Sequence, residues 1–241
     1  MSFIWHTFFF DPVYNALVFF IDILPGGDVG MAIIATVVVV KLVLLPLSIK
    51  AAKTQKILRE IEPKLKDIKE KYKDNREEQA RAMMAIYQEA GMNPFASILV
   101  FFLQIPIVFA LYFAVSSGGG VALPDINTEL LYSFVAAPVV VTMNFLGVVD
   151  ILGKSVLLAL CAAVTQFFQI KLALPPLPPR DPNAAPDLKD DFVRNMQLQM
   201  RYVMPVLIFF AAYFISAAIA LYFFVSNVVG ILQELYIKRH R

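Results

Sequence analysis

The stretch VVVVKLVLLP, residues 37–46, sets eight aliphatic residues around a single lysine, Lys41. Residues 29–49 hold no other charged residue, and an apolar run of about 20 residues has the length of a membrane-crossing helix. Lys41 lies about eight residues, ~12 Å along a helix, from the end that meets Lys50. A lysine stem reaches only ~6 Å toward water, and a charge facing lipid at that depth costs several kcal/mol. The helix must therefore turn Lys41 toward a polar, hydrated interior. A salt bridge within the bundle is the alternative, but no other predicted span carries an acid near mid-depth, and Glu234 stands close to a helix end.

The composition fits this reading. The 241 residues are 59% hydrophobic and 17% charged, with 21 Phe, too few charges for a soluble domain of this length. The pattern divides the chain into an N-terminal segment 1–28, TM1 at 29–49, a charged helical block 50–91, TM2 at 92–115, a Gly/Pro-containing segment 116–153, TM3 at 154–174, a proline-rich loop 175–201, TM4 at 202–216, TM5 at 217–237 and a basic tail 238–241. One helix over 202–235 would be ~50 Å long against a ~30 Å hydrocarbon core, so a break is predicted near Ser216. In the first 28 residues, which lack Lys and Arg and do not read as a signal peptide, aromatic residues and two aspartates favour an interfacial helix at about 12–24. A spanning helix over 3–24 is the alternative. The single cysteine, Cys161, excludes an internal disulfide, and its apolar surroundings favour plain packing.

Charge asymmetry orients these spans. Nineteen of the 21 Lys/Arg fall in 50–91, 171–201 and the tail, whereas 1–28 and 116–153 hold none and carry six acids. The positive-inside rule places the first three segments in the cytoplasm. Parity then requires 130–149, apolar though it is, to stay on the outer side, giving five spans with the N-terminus outside and the C-terminus inside.

Within 50–91, Ile57, Leu58, Ile61, Leu65, Ile68 and Tyr72 form one apolar stripe, and Ala80, Met83, Met84 and Tyr87 a facing one. Asp74-Asn75 makes the turn and Asn75 with Glu78 a capping pair, so the block reads as an antiparallel helical hairpin. Its 11 basic and 8 acidic residues make a mixed surface, either simply solvated or a docking site for headgroups, a ribosome or a client chain, and do not favour sequence-specific nucleic acid. Other spans offer polar groups to the interior of Lys41: Ser97 and Gln104, then Thr165, Gln166 and Gln169, then Ser226 and Asn227. Singly such groups are more often helix–helix glue; together with Lys41 they suggest a polar groove. No nucleotide fingerprint exists, and His6 and His240 lie at opposite ends of the chain, so no cofactor, metal or catalytic constellation is read. A small-solute transporter or channel should show repeats, which are absent; a non-catalytic scaffold of a membrane complex is the other alternative.

The stretches YNALVFFIDILPGGDVGMAIIATVVVVKLVLLPLSIKAAKTQKI, MMAIYQEAGMNPFASILVFFLQIPIVFALYF, MRYVMPVLIFF and LYFFVSN resemble, in order, the YidC/Oxa family of membrane protein insertases. The resemblance implies an all-α integral membrane protein: five transmembrane helices around a hydrophilic groove, with a cytoplasmic helical hairpin and an N-terminal interfacial helix. It implies a groove holding Lys41 where arginine is usual, Gln104 at a matching polar position and Phe223 where some members carry a bulkier aromatic, with Thr165, Gln169 and Asn227 as further groove candidates. It implies a non-enzymatic insertase or chaperone of a bacterial inner membrane, with newly made membrane proteins and the lipid bilayer as partners and with the Sec translocon and the ribosome as further ones. Lysine keeps the charge of arginine but lacks its bidentate fork, and the tail KRHR is short for strong ribosome binding.

Overall fold

A computed structural model describes residues 2–73, 75–91, 95–117, 120–174 and 194–239. The proline-rich stretch 175–193 and the end of the basic tail lie outside the described residues. The chain forms two compact units, residues 1–41 with 107–241, and residues 42–106.

The first unit opens with α1 (Ser2–Trp5), a π turn (His6–Phe10) and α2 (Asp11–Ile23) in one helical run. The run starts well before residue 12 because the π turn carries the helix into Pro12: the Asp11 N–H reaches back to the His6 carbonyl, the five-residue spacing of a π bulge. A 3₁₀ turn, Pro25–Gly27, leads into α3 (Val29–Val43). Beyond the later part of α6 (Phe95–Ser116), residues 120–155 are almost free of regular structure. They contain a 3₁₀ turn, Thr128–Leu130, and a two-residue hairpin of β1 (Asn144–Phe145) and β2 (Val149–Asp150), which pairs Asn144 with Asp150. Then come α7 (Val156–Ala173), capped by the Ser155 hydroxyl at the Leu158 N–H, α8 (Met204–Ile215), entered through a π turn at Gln199–Val203, and α9 (Ala217–Arg239). The helix carrying α8 already begins at Arg194, upstream of residue 202, so the linker before it is shorter than the sequence pattern suggests.

Among the described residues four helices are long and apolar enough to cross a membrane: Phe3–Ile23, Val156–Ala173, Arg194–Ile215 and Ala217–Ile237. The helix broken at Leu44, Val29–Val43 with Leu45–Thr54, makes a fifth if counted as one span, and Phe102–Ser116 is a shorter apolar helix.

The irregular stretch 120–155 must find partners for its backbone polar groups, and three side-chain or helix-end devices supply them. Asn15, buried on α2, donates to the Leu130 carbonyl at 2.9 Å and accepts from the Tyr132 N–H at 2.6 Å, while the Tyr14 hydroxyl accepts from the Asn127 N–H at 2.9 Å. Asp28 divides its carboxylate: one oxygen accepts from Met31 N–H at 3.0 Å and so caps α3, the other from Leu146 N–H at 2.8 Å. The chain at Gly27 approaches Val140 so closely that a Cβ would overlap the Val140 carbonyl, and Thr142 exchanges backbone hydrogen bonds with Gly27 and Val29. Finally the helix breaks at Ser216, which is extended (φ −171°, ψ 161°). The break frees the Ala217 and Ala218 N–H groups to donate to Gly153 and Ile151 carbonyls at 2.7 and 2.9 Å.

The second unit contains α4 (Leu45–Lys71), which has Pro46 in its first turn and runs on through Pro63, α5 (Arg76–Glu89) and the start of α6. Asn75 caps α5 by accepting from the Glu78 N–H at 3.3 Å. Ile61 and Leu65 are buried along α4. On α5 the protected face is Ala82, Met83, Ile86 and Tyr87, with Ala80 and Met84 turned outward. The apolar face is thus rotated slightly from the stripe read in the sequence.

Asp28→Ala removes two hydrogen bonds at once and should lower the unfolding free energy in detergent by about 1–3 kcal/mol. Asp22→Ala, at an exposed site on α2, should change it by less than about 0.5 kcal/mol. Thermal unfolding followed by circular dichroism checks the difference.

Candidate functional site

The buried residues of α3 are Val29, Gly30, Ala32, Ile33, Thr36 and Val37. Lys41 stands one turn beyond Val37 and two beyond Ile33, so it continues the protected stripe. Lys41 is half-buried, whereas the next two residues, Leu42 and Val43, are 57% and 71% exposed. The helix therefore turns its leucine and valine outward and keeps its ammonium group on the sheltered face. Along the axis Lys41 lies about 18 Å from Val29, a little past the middle of a ~30 Å core. The same helix hides a second polar group: the Thr36 hydroxyl is buried and has no hydrogen-bond partner among the described residues.

Polar residues on α7 and α9 behave differently. Asn227, buried on α9, donates its amide to the Ala162 carbonyl at 3.2 Å and to the Thr165 hydroxyl at 3.4 Å. Thr165 in turn donates back along its own helix, 2.8 Å from the Cys161 carbonyl. Gln169 lies over Gly230, where a Cβ would overlap the glutamine amide. Small residues let the helices approach this closely: Ala159 and Ala162 on α7, and Ala217, Ala218 and Ala220 on α9, are fully buried. Thr165, Gln169 and Asn227 are thus brought to one interhelical seam. Phe223, one turn before Asn227, is half-buried with its ring edge-on to Tyr222 at 5.5 Å. Gln104, half-buried, stands on α6 two residues before Pro106, in the second unit. The side chain of Ser97 lies outside the described residues.

Comparison with known proteins adds the family. The family model described as 60Kd inner membrane protein matches residues 20–241. The chain belongs to this family. Two relatives within it are the membrane protein insertase YidC 2 of Bacillus anthracis, 31% identical over 98% of this chain and 81% of its own length, and the membrane protein insertase YidC of Oceanobacillus iheyensis, 32% identical over 98% and 84%. The YidC of Syntrophobacter fumaroxidans is 30% identical, and there the match covers 98% of this chain but 39% of the relative. The matched region contains α3 with Lys41, the capping Asp28 and every seam residue above.

Asp28, Asn15 and Thr36 escape a reading of the sequence as a list of spans. Asp28 had a local signal, since Gly-Gly-Asp before an apolar run is a helix-start pattern. Asn15 and Thr36 had none, because their importance depends on distant chain or on burial.

Two substitutions separate the kinds of polar group. Asn227→Val removes a protein–protein hydrogen bond and should destabilise the protein by about 0.6–1.7 kcal/mol. Thr36→Val removes a buried hydroxyl with no described partner and should be neutral or stabilising. Guanidinium or thermal unfolding in detergent, read against wild type, gives both numbers.

Proposed function

We propose that this protein is a membrane protein insertase that receives small membrane-protein clients in a hydrated groove and releases them sideways into the bilayer. Lys41 is the observation that carries the reading: an ammonium group near mid-depth, on the sheltered face of an apolar helix. A charge so placed requires a wet, polar neighbourhood, and the buried Thr36 hydroxyl on the same helix has the same requirement. Family membership and the names of the relatives support the same activity.

The steps follow from charge and hydration. A client with one or two spans and an acidic or polar tail enters from the cytoplasmic side, where the helical hairpin of α4 and α5 meets it first. Lys41 attracts the negative charge of the tail, and water in the groove keeps the polar segment solvated partway across. The client's apolar segment moves into lipid, and its transfer free energy, ~25 cal/mol per Å² of apolar surface, draws the tail outward. Phe223 lines the groove in this scheme, and Thr165, Gln169 and Asn227 hold its wall together. No nucleotide or cofactor is needed, and newly made chains arriving from the ribosome or beside the Sec translocon are the partners.

The orientation belongs to the same proposal: an inner membrane protein with its N-terminus outside and its C-terminus in the cytoplasm. Irregular backbone is not tolerated against lipid hydrocarbon, so residues 120–155 belong at or above the interface. Because Tyr14 and Asn15 are bonded to that stretch, α2 lies at the same level, as an interfacial helix.

The test is complementation of a depleted strain with Lys41 variants, following insertion of a two-span reporter with an acidic tail. Lys41→Arg should insert as well as wild type, Lys41→Ala several-fold less, and Lys41→Glu least. If Lys41→Glu matches wild type, the electrostatic groove is wrong. In a Cys161→Ala background, Lys41→Cys should react with a water-soluble maleimide added to the cytoplasmic face.

A further inference from the structure

One basic residue breaks the charge pattern of the chain. Between Arg81 and Lys171 the sequence has a single Lys or Arg, Lys154. It stands two residues before α7, at the end of the molecule where Ser216 and the irregular stretch meet. Lys154 is exposed and makes no ion pair among the described residues. Its Nζ lies instead 5.7 Å from the centre of the Tyr213 ring and 5.5 Å from that of Phe214, in the last turn of α8. A cation over aromatic rings at the end of an apolar helix suits the headgroup level, where Tyr collects and Lys snorkels.

Below this lysine opens a cleft of about 440 Å³ between α7 and α8. Leu160, Val164 and Phe167 form one wall, Val206, Phe209 and Phe210 the other, with Ala163 and Pro205 too small to close the gap. By position along their helices Leu160 and Phe210 lie nearest the Lys154 end, and Phe167, Pro205 and Val206 farther down. On α7 the lining residues lie ~6 to ~17 Å from Val156, which is the depth of one leaflet, ~15 Å. The cleft is open along its outer side, with Leu160, Val206 and Phe210 about half exposed; its apolar walls suit one hydrocarbon chain, and the charge of Lys154 at its head suits an anionic headgroup rather than an apolar helix.

We propose that the α7–α8 cleft takes one acyl chain of an anionic phospholipid whose phosphate rests on Lys154. The charge selects the headgroup and the apolar walls hold the tail. The lipid then covers the outward side of α7, whose other side forms the tight seam with α9, so that α7 has a defined neighbour on both sides.

The experiment uses the full-length protein reconstituted in vesicles of equal phosphatidylglycerol and phosphatidylcholine, released in mild detergent and weighed with its bound lipid by native mass spectrometry. Wild type and Lys154→Arg should retain phosphatidylglycerol over phosphatidylcholine. Lys154→Gln should lose about five-fold of that preference, the ratio for ~1 kcal/mol per basic residue at an anionic surface. Ala163→Phe, which fills the cleft, should lose both lipids. Equal retention of phosphatidylglycerol by wild type and Lys154→Gln would overturn the proposal. So would cross-linking of a photoreactive residue at Val164 to a protein chain, whether a client or a second copy, in place of lipid.

Discussion

Near a bilayer, a backbone N–H or C=O that leaves a helix must find a partner within the protein, and this constraint organises the first unit. Residues 120–155 run for over 30 residues with only a 3₁₀ turn and a two-residue hairpin. They are tolerable because other parts of the chain complete their hydrogen bonds: Asn15 and Tyr14 from α2, Asp28 from the start of α3, and the opened helix at Ser216. Each device also fixes something else. Asp28 caps α3, and α3 carries Lys41. The break at Ser216 sets where α9 begins, and hence where Asn227 stands ten residues later. The irregular segment is therefore a template against which several helices are registered.

The polar residues within the helices divide into two kinds on the same physical grounds. Thr165 and Asn227 satisfy one another and the Ala162 carbonyl across a seam of alanines, so their polarity is internal to the fold. Lys41 and Thr36 lie on α3, whose sheltered face is otherwise aliphatic. The first kind holds helices together in the absence of a hydrophobic driving force between them. The second kind stands on the sheltered face of the helix that Asp28 caps.

Much of this was legible in the sequence. Lys41 was decisive because a lone charge in a 21-residue apolar run allows few physical outcomes, and the helix does turn it to the sheltered face. The same run-length reasoning anticipated the separation of α8 from α9. The motifs around Lys41, Pro46 and Pro106 pointed to the family, which the match over residues 20–241 shows. Thr165 and Asn227 could be marked as polar but not as partners, since their hydrogen bond joins residues 62 positions apart. Helix starts were the weakest part: the π turns at His6–Phe10 and Gln199–Val203 carry helices through regions where proline and charge suggest an interruption. A π turn leaves no periodic signal in hydropathy, so it is invisible until the backbone is seen.

The break at Ser216 has a mechanical consequence. A single residue joins α8 to α9, and the flanking N–H groups are tied to residues 151 and 153. No slack exists at that end, so α8 and α9 cannot slide past each other or part there without breaking the two hydrogen bonds to the 151–153 segment. Farther along, α9 is tied to α7 through the Asn227 amide, and α8 is entered through its π turn. The pair is therefore indexed from one end: the pin at Ser216 sets the level of every residue along α8 and α9 relative to the irregular stretch.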